Sequence, residues 1–212
     1  MTANIHRGPT LATGAPLGQA RGAVIMIHGR GASAESILSL APELWAEDLA
    51  YLAPQATNGS WYPFSFLAPL ERNEPFLGAA LAAVGALVAR VEEAGVPAGR
   101  IALLGFSQGA CLASEFVARN ARRYGGLIAL SGGLIGPDGT PRDYQGSLDG
   151  TPAFLGCSDV DSHIPKERVL ETEAVLARMG AAVTTKLYPG MGHTVNEDEL
   201  EHARAILAGL GA

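Results

Sequence analysis

Short apolar runs alternate with longer segments of helical periodicity along almost the whole chain. The clearest run, residues 22–27, contains no charged or strongly polar side chain and is followed directly by His28. Such a run is typical of a strand that is buried on both faces of a sheet. Similar runs predict further strands at 49–53, 100–104, 126–130, 152–155 and 182–188. Between them, apolar spacing and capping residues predict helices at about 34–47, 76–93, 108–120, 166–179 and 197–210.

This alternation determines the expected fold class. Helical crossovers of this length connect parallel strands, so we expect an α/β fold with a mostly parallel central sheet and helices on both faces. Ligands bind at the carboxyl ends of the strands in such folds, and long connections occur at about 54–75 and 131–151. The length predicts one domain over residues 1–212, in which about 1–20 form a loose N-terminal segment.

Composition limits the classes of binding partner and the cellular compartment that we expect. The formal net charge of −6 argues against a nucleic-acid partner and against stable association with a membrane, because both would need clustered Lys and Arg. The only cysteines, Cys111 and Cys157, do not form a disulfide framework, and no secretion signal precedes them, so we expect a cytoplasmic protein with reduced thiols. Cys111 is interpreted as a small buried helix residue. Whether the chain forms a homodimer stays open.

The segment Gly105-Phe106-Ser107-Gln108-Gly109 lies between a predicted strand and a predicted helix. A Gly-x-Ser-x-Gly sequence in that setting is typical of a nucleophile elbow, in which a sharp turn presents the serine hydroxyl above the sheet. It predicts acyl transfer through an ester on Ser107. The alternative interpretation is a glycine-rich turn with a capping serine.

A serine nucleophile needs a histidine base within hydrogen-bond reach. We expect that base to be His193, which follows the last predicted strand and two glycines. His163 is its competitor, because it lies in an acidic turn at the same predicted edge of the sheet. His28 ends a central strand, where a histidine more often orients its own loop through backbone hydrogen bonds.

The base is oriented in turn by a carboxylate, and the turn after strand 152–155 offers two. We favour Asp159, which follows the predicted strand by a Gly-x-x-Asp turn, because the distance from the end of the strand determines where the carboxylate can reach. Asp161 is the alternative, since it precedes Ile164-Pro165 with the spacing of an Asp-x-x-Ile-Pro signature. With either acid, the order Ser, Asp, His along the chain is that of α/β-hydrolases.

Two backbone amides are expected to meet the oxyanion of the tetrahedral intermediate. Gln108 supplies one at a helix N-terminus, and Arg30 supplies the other from the loop after strand 22–27. The side chain of Arg30 either is solvated or ion-paired, or it binds an anionic group of the substrate. Apolar residues of the first long loop either line an acyl pocket or fasten the loop to the core; they are Trp61, Phe64, Phe66 and Leu67.

Five motifs together resemble the phospholipase/carboxylesterase family of α/β-hydrolases, which includes acyl-protein thioesterases and bacterial carboxylesterases. They are His28-Gly29-Arg30-Gly31, Pro54-Gln55-Ala56 followed by Trp61-Tyr62, Gly105 to Gly109, the acidic turn ending at Ile164-Pro165, and Gly190-Met191-Gly192-His193. The resemblance implies a triad of Ser107, His193 and an Asp from residues 156–165, oxyanion donors at Arg30 and Gln108, no cofactor, no metal and no lid domain. The chain departs from the family where Arg30 replaces an apolar residue and where the acidic turn is two residues longer than is common.

The leading functional hypothesis is a serine carboxylesterase acting on a small-molecule ester of small to medium size, with thioesters and lysophospholipids as further candidate substrates. A second hypothesis is a hydrolase of carboxylate-bearing ring-cleavage products in aromatic catabolism, with Arg30 binding the carboxylate. A third is a non-catalytic ligand-binding protein with a hydrolase fold.

Overall fold

Seven strands form one sheet within residues 5–44, 46 and 48–211, which a computed structural model describes. In chain order they are β1 (Thr10–Gly14), β2 (Gly22–Ile27), β3 (Leu49–Pro54), β4 (Ile101–Phe106), β5 (Gly126–Leu130), β6 (Pro152–Ser158) and β7 (Ala182–Tyr188). The α-helices of the described residues are α1 (Ala34–Leu38), α2 (Leu70–Asn73), α3 (Phe76–Glu93), α4 (Gln108–Arg119), α5 (Lys166–Arg178) and α6 (Glu197–Ala208).

The sheet order places the predicted nucleophile near its middle. Across the sheet the strands run β1-β3-β2-β4-β5-β6-β7. Only β1 is antiparallel to its neighbour, and every other pair is parallel. The expected α/β-hydrolase architecture with a mostly parallel sheet is therefore confirmed, and the loops after β4, β6 and β7 all leave from the same edge.

Two apolar cores cover the two faces of this sheet. In β2, Ala23, Ile25 and Ile27 belong to the core that contains α3, α4 and α5, whereas Val24 and Met26 belong to the core with α1 and α6. The period of two along the strand produces this division. No helix in the described part of the chain is long and apolar enough to cross a membrane.

Several predicted bounds are confirmed and others need correction. Strands 22–27, 126–130 and 182–188 and helix 76–93 form as predicted. The predicted helix at 34–47 is wrong, because α1 ends at Leu38 and a short 3-10 helix covers 41–44. Pro42 lies inside the predicted helix and cannot donate a backbone hydrogen bond there. Residues 45 and 47 lie outside the described residues.

The N-terminal region contains a strand that the apolar pattern does not predict. Residues 10–14 form β1 and pair along Ala50–Pro54, so the expectation of a loose segment over 1–20 is wrong for these residues. Residues 1–4 lie outside the described part. The apolar pattern likewise does not predict helix α2, which lies within the long connection 54–75.

Candidate active site

Ser107 occupies a sharp turn between β4 and α4. Its backbone has φ 55° and ψ −120°, a left-handed conformation that costs energy for a residue with a side chain. Its amide donates to the carbonyl of Leu130 at 2.9 Å, which fixes the turn against β5. A β-carbon at Gly105 would overlap the backbone of Gly109, and one at Gly109 would overlap the carbonyl of Ile27. Both glycines are therefore required by close backbone approach.

His193 lies on the loop after β7 and reaches the serine. Its Nε2 is 2.8 Å from Ser107 Oγ, so the hydroxyl can donate to the ring nitrogen. The ring packs against Phe106, with 4.9 Å between ring centroids, and against His163, with 4.8 Å. Only 19% of the His193 side chain is exposed. The structure thus brings Ser107 and His193 together and places His163 against the His193 ring, where it also lines the cleft.

Asp161, rather than Asp159, orients the imidazole. Asp161 Oδ2 lies 2.7 Å from His193 Nδ1, which leaves Nε2 free to accept from Ser107. The expectation that Asp159 supplies the acid is wrong. Asp159 instead accepts a hydrogen bond from the backbone N–H of Gly190 at 2.8 Å.

The end of β6 explains this correction. The apolar pattern predicts that the strand ends at residue 155, but β6 continues to Ser158. Asp159 therefore follows the strand directly, and its own amide still donates to Tyr188 of β7 at 3.1 Å. Asp161 stands three residues beyond the strand, where the turn directs its carboxylate back to His193.

The carboxylate of Asp161 is buried and well supplied with donors. Its side chain is fully buried, and Oδ1 accepts from the amides of His163 at 2.8 Å and Ile164 at 3.0 Å. Burial alone would raise the pKa of Asp161, but the hydrogen bonds from His193 and these two amides outweigh it and hold the pKa below its usual value. The thiol of Cys157 lies 3.8 Å from Oδ2, a contact that no motif in the sequence indicates.

The loop after β2 lies beside the nucleophile. A β-carbon at Gly29 would meet Ser107 Cβ at 3.4 Å, so the loop and the elbow are in contact. The next amides, of Gly31 and Ala32, donate to Gly59 and Gly29. The amide of Arg30 has no acceptor among the described residues, and that of Gln108 opens α4, where no intrahelical acceptor exists. Within the described part of the chain, both expected oxyanion donors are thus without an acceptor.

His28 holds this loop in place. It is fully buried, its Nδ1 lies 2.8 Å from the carbonyl of Gly29, and its Nε2 accepts from the amide of Ala56 at 3.1 Å. Because Nε2 is an acceptor, the proton must be on Nδ1. Burial lowers the pKa of His28, which is consistent with this neutral form.

A cleft of about 680 Å³ opens over Ser107. Its lining residues include Phe64 and Phe66 but neither Trp61 nor Leu67, so two of the four expected pocket residues are corrected. Trp61 is fully buried and its Nε1 donates to the carbonyl of His28 at 2.9 Å. Leu67 packs against the core. These two residues fasten the loop, whereas the two phenylalanines face the cleft.

Gln108 has a second role that sequence reasoning missed. Its side-chain Oε1 accepts from the amide of Trp61 at 3.0 Å, and its Nε2 donates to the carbonyl of Tyr62 at 2.9 Å. The residue after the nucleophile therefore holds the cleft wall with its side chain. A glutamine in a nucleophile elbow gives no sequence signal for this contact, since its partners are backbone groups some 46–47 positions away.

Both cysteines are free and buried. Burial raises the pKa of Cys111 and of Cys157 to about 12 each. Among the described residues, no group of three or more His, Cys, Asp or Glu side chains is arranged to hold a metal ion.

Comparison with known proteins identifies the family of the chain. The family model described as Phospholipase/Carboxylesterase matches residues 10–210. The chain belongs to the phospholipase/carboxylesterase family. A phospholipase/carboxylesterase from Dyadobacter fermentans DSM 18053 has a crystal structure that superposes with a TM-score of 0.93 and 44% identity, covering 98% of this chain and all of that one.

More distant relatives of the family are similar over most of their length. Acyl-protein thioesterase 1 of Gibberella zeae is 27% identical over 209 residues, which is 87% of this chain and 88% of the relative. The crystal structure of esterase PE8 has a TM-score of 0.76 and 25% identity over 96% of this chain and 98% of that one. The family and these homologues are hydrolases of the carboxylesterase and thioesterase type, and so this chain is an α/β-hydrolase enzyme.

Proposed function

We propose that the chain is a serine carboxylesterase that hydrolyses small to medium carboxylic esters through an acyl-enzyme on Ser107. The observation that carries the proposal is the pair of hydrogen bonds made by His193, at 2.8 Å to Ser107 Oγ and 2.7 Å to Asp161 Oδ2. This alignment is what converts a weak hydroxyl nucleophile into an effective one.

In the first half of the reaction, Ser107 Oγ forms a bond to the ester carbonyl carbon while its proton passes to His193 Nε2. The electron pair of the C=O bond moves to oxygen, which the amides of Arg30 and Gln108 stabilise. Asp161 stabilises the imidazolium. Collapse of the intermediate breaks the bond to the leaving alcohol, which takes the proton from Nε2.

In the second half, water takes the place of the alcohol. His193 removes a proton from water as its oxygen attacks the acyl carbon, and a second oxyanion forms at the same amides. When this intermediate collapses, the bond to Ser107 Oγ breaks and Oγ recovers its proton from Nε2. The products are a carboxylic acid and the original enzyme.

Several classes of carboxylic ester are candidate substrates under this proposal. A cleft of about 680 Å³ accommodates a small or medium acyl chain. A thioester would pass through the same acyl-enzyme, and the similarity to proteins named acyl-protein thioesterase 1 supports including it. Lysophospholipids are a further ester class within the same chemistry.

A fluorophosphonate probe tests the nucleophile, and p-nitrophenyl butyrate tests turnover. We expect the probe to label the wild-type protein on Ser107 and to leave Ser107→Ala unlabelled, with turnover lost in Ser107→Ala and in His193→Ala. Comparing the butyrate ester of p-nitrophenol with that of p-nitrothiophenol would separate esterase from thioesterase preference. Absence of both labelling and turnover in the folded wild-type protein would reject the mechanism and favour the non-catalytic ligand-binding alternative.

A further inference from the structure

The cleft over Ser107 differs in charge from the protein as a whole. The chain carries a formal net charge of −6, yet none of the cleft-lining residues is Asp or Glu. The lining contains one permanent cation, Arg30, and two histidines, His163 and His193. The carboxylate of Asp161 is fully buried and is hydrogen-bonded to His193 and to two amides, so Arg30 is the charged side chain that faces an anion in the cleft.

The positive charge of Arg30 is not neutralised within the described residues. Its side chain is exposed, and none of the ion pairs found there includes it. Its partners are neutral oxygens: Nη1 donates to Ser60 Oγ at 3.1 Å and to the carbonyl of Pro63 at 2.9 Å, and Nη2 donates to the carbonyl of Phe64 at 2.6 Å. Three hydrogen bonds therefore hold the charge in one place without cancelling it.

The donors that remain on Arg30 suit a carboxylate. A guanidinium has five N–H groups, and the three bonds to the loop leave one on Nε and one on Nη2 without an acceptor in the described part of the chain. These two nitrogens share one edge of the planar group, and such an edge matches the two oxygens of a carboxylate. Because the group is already fixed, little side-chain entropy is lost on binding.

A second arginine adds to the same side of the cleft. The guanidinium carbon of Arg72, in α2, lies 4.2 Å from the centroid of the Phe64 ring, and Phe64 itself lines the cleft. Glu71 and Glu74 are its neighbours in sequence, but Arg72 has no ion pair with either. Two aromatic residues of the cleft wall thus each lie beside a guanidinium group that has no ion pair among the described residues: Phe64 beside Arg72, and Tyr62 beside Arg30, whose guanidinium carbon is 5.8 Å from the ring centroid.

From this arrangement we infer that the enzyme prefers esters carrying a second, anionic group, and that Arg30 pairs with a carboxylate of the substrate while Ser107 attacks the ester. This inference rests on the proposed esterase activity. It assigns two separate tasks to one residue, since the amide of Arg30 faces the oxyanion and its side chain sets the substrate class.

The test uses two esters that differ only in charge. One is the p-nitrophenyl half-ester of adipic acid, and the other is the p-nitrophenyl ester of adipic acid monoamide, in which a carboxamide replaces the carboxylate. The measured quantity is the ratio of kcat/KM for the acid to kcat/KM for the amide. Repeating it from succinic to suberic acid locates the chain length that fits. We expect wild type to favour the acid by about tenfold or more, with a preference that falls as salt is added.

Four variants separate charge from loop support. Arg30→Gln should lower the ratio by about tenfold, mainly through KM for the acid, and Arg30→Lys should retain part of it because the charge remains. Ser60→Ala removes one of the three hydrogen bonds to the Arg30 guanidinium without changing any charge, and should lower the ratio less than Arg30→Gln does. Arg100→Gln removes a charge next to the start of β4, at the amino ends of the parallel strands and away from the cleft. This variant should leave the ratio unchanged.

The outcomes are distinguishable. A wild-type ratio near or below one, with Ser107 still labelled by the fluorophosphonate, overturns the carboxylate preference and leaves the esterase proposal intact. Equal losses on both esters in Arg30→Gln would show that the side chain only supports the loop, which also overturns it. Failure to hydrolyse either ester together with an unlabelled Ser107 would reject the esterase proposal itself, and the inference with it.

Discussion

Asp159 Oδ1 accepts a hydrogen bond from the backbone N–H of Gly190 at 2.8 Å, and so the acidic turn is fastened to the loop that carries His193. Asp161 acts on the same loop through the imidazole itself. The two carboxylates therefore have different tasks, one on the backbone of the loop and one on the base.

Substitutions at these two acids should have very different effects. We expect Asp161→Asn to lower kcat about a thousandfold, because the amide cannot stabilise an imidazolium and favours the wrong tautomer. Asp159→Asn keeps an oxygen that can accept from Gly190 and should stay within about threefold of wild type, since surface changes of this kind have small effects. Steady-state kinetics on p-nitrophenyl butyrate measures both. The assignment fails if Asp159→Asn is the more damaging change.

Glu199 should make stability depend on pH. It is fully buried at the start of α6, and burial raises its pKa from 4.5 to about 7. Its Oε2 accepts from the amide of Asn196 at 2.9 Å, and its Oε1 has no hydrogen-bond partner among the described residues. Between these pH values the unfolded chain ionises at Glu199 while the folded protein keeps the proton, so this group's contribution to stability is lost as pH rises.

The free energy of unfolding, measured in urea at a series of pH values, reports the contribution of Glu199 to stability. The advantage of Glu199→Gln over wild type should grow from pH 5 to pH 8 by at most about 3 kcal/mol, which is the shift in pKa expressed as free energy. Glu201→Gln, at an exposed position of the same helix, provides a comparison. A difference between Glu199→Gln and wild type that does not vary with pH would contradict the assignment.

Neither cysteine should react in the folded protein. Both are buried, and burial raises each pKa to about 12, so at pH 8 the thiolate that attacks an alkylating agent is scarce. Mass spectrometry after treatment with iodoacetamide should find no alkylated cysteine in the native protein and two in urea. Rapid native labelling at Cys111, which contributes to the cleft, would show that the cleft opens further than the structure indicates.

Gly109→Ala should be strongly destabilising. The added β-carbon would overlap the carbonyl oxygen of Ile27, and its other nearest atoms are also backbone atoms, of Ile27 and His28, which cannot move aside as a flexible side chain could. We expect a loss of about 3 kcal/mol in unfolding free energy with loss of activity. Gly18→Ala, whose β-carbon would meet no atom within 4 Å, is the matched control. Thermal unfolding of the two variants measures the difference.

Phe64 should influence substrate range without supporting the fold. Its side chain is 42% exposed and lines the cleft. We expect Phe64→Ala to lower kcat/KM for neutral octanoate esters about fivefold relative to acetate, because apolar contact with the longer chain is lost. Leu67→Ala, which removes a core contact instead, should lower the melting temperature and leave that chain-length preference unchanged. A larger change in preference for Leu67→Ala would reverse the two assignments.

The parts of the fold that the sequence predicts well are those with a strong burial signal. Strand β2 is buried at every position, and helix α3 buries one continuous face; both form with the predicted bounds. Strand β1 is mostly exposed and has a single neighbour in the sheet, so its stability comes from backbone pairing with β3. Hydrophobic periodicity does not detect that kind of strand.

In the candidate site, too, the sequence predicts some residues well and others poorly. The elbow motif and the glycines before the base locate Ser107 and His193, because backbone geometry demands those residue types. The choice between Asp159 and Asp161 depends on where β6 ends, and a strand end is the least reliable feature of a sequence pattern. Trp61 and Phe64 are both aromatic and three positions apart, yet one faces the core and the other the cleft, which only tertiary packing decides.

In the proposed mechanism, Arg30 and Gln108 each present a peptide amide toward the reacting carbonyl, and in the structure each uses its side chain to brace the wall formed by residues 60–64. Main chain and side chain at these positions are therefore under different constraints. We therefore expect exchange of either side chain to change which substrates the cleft accepts, while the peptide groups beside Ser107 remain available for the reaction. Single substitutions at these two positions should therefore change substrate selectivity while the groups that break the ester bond stay in place.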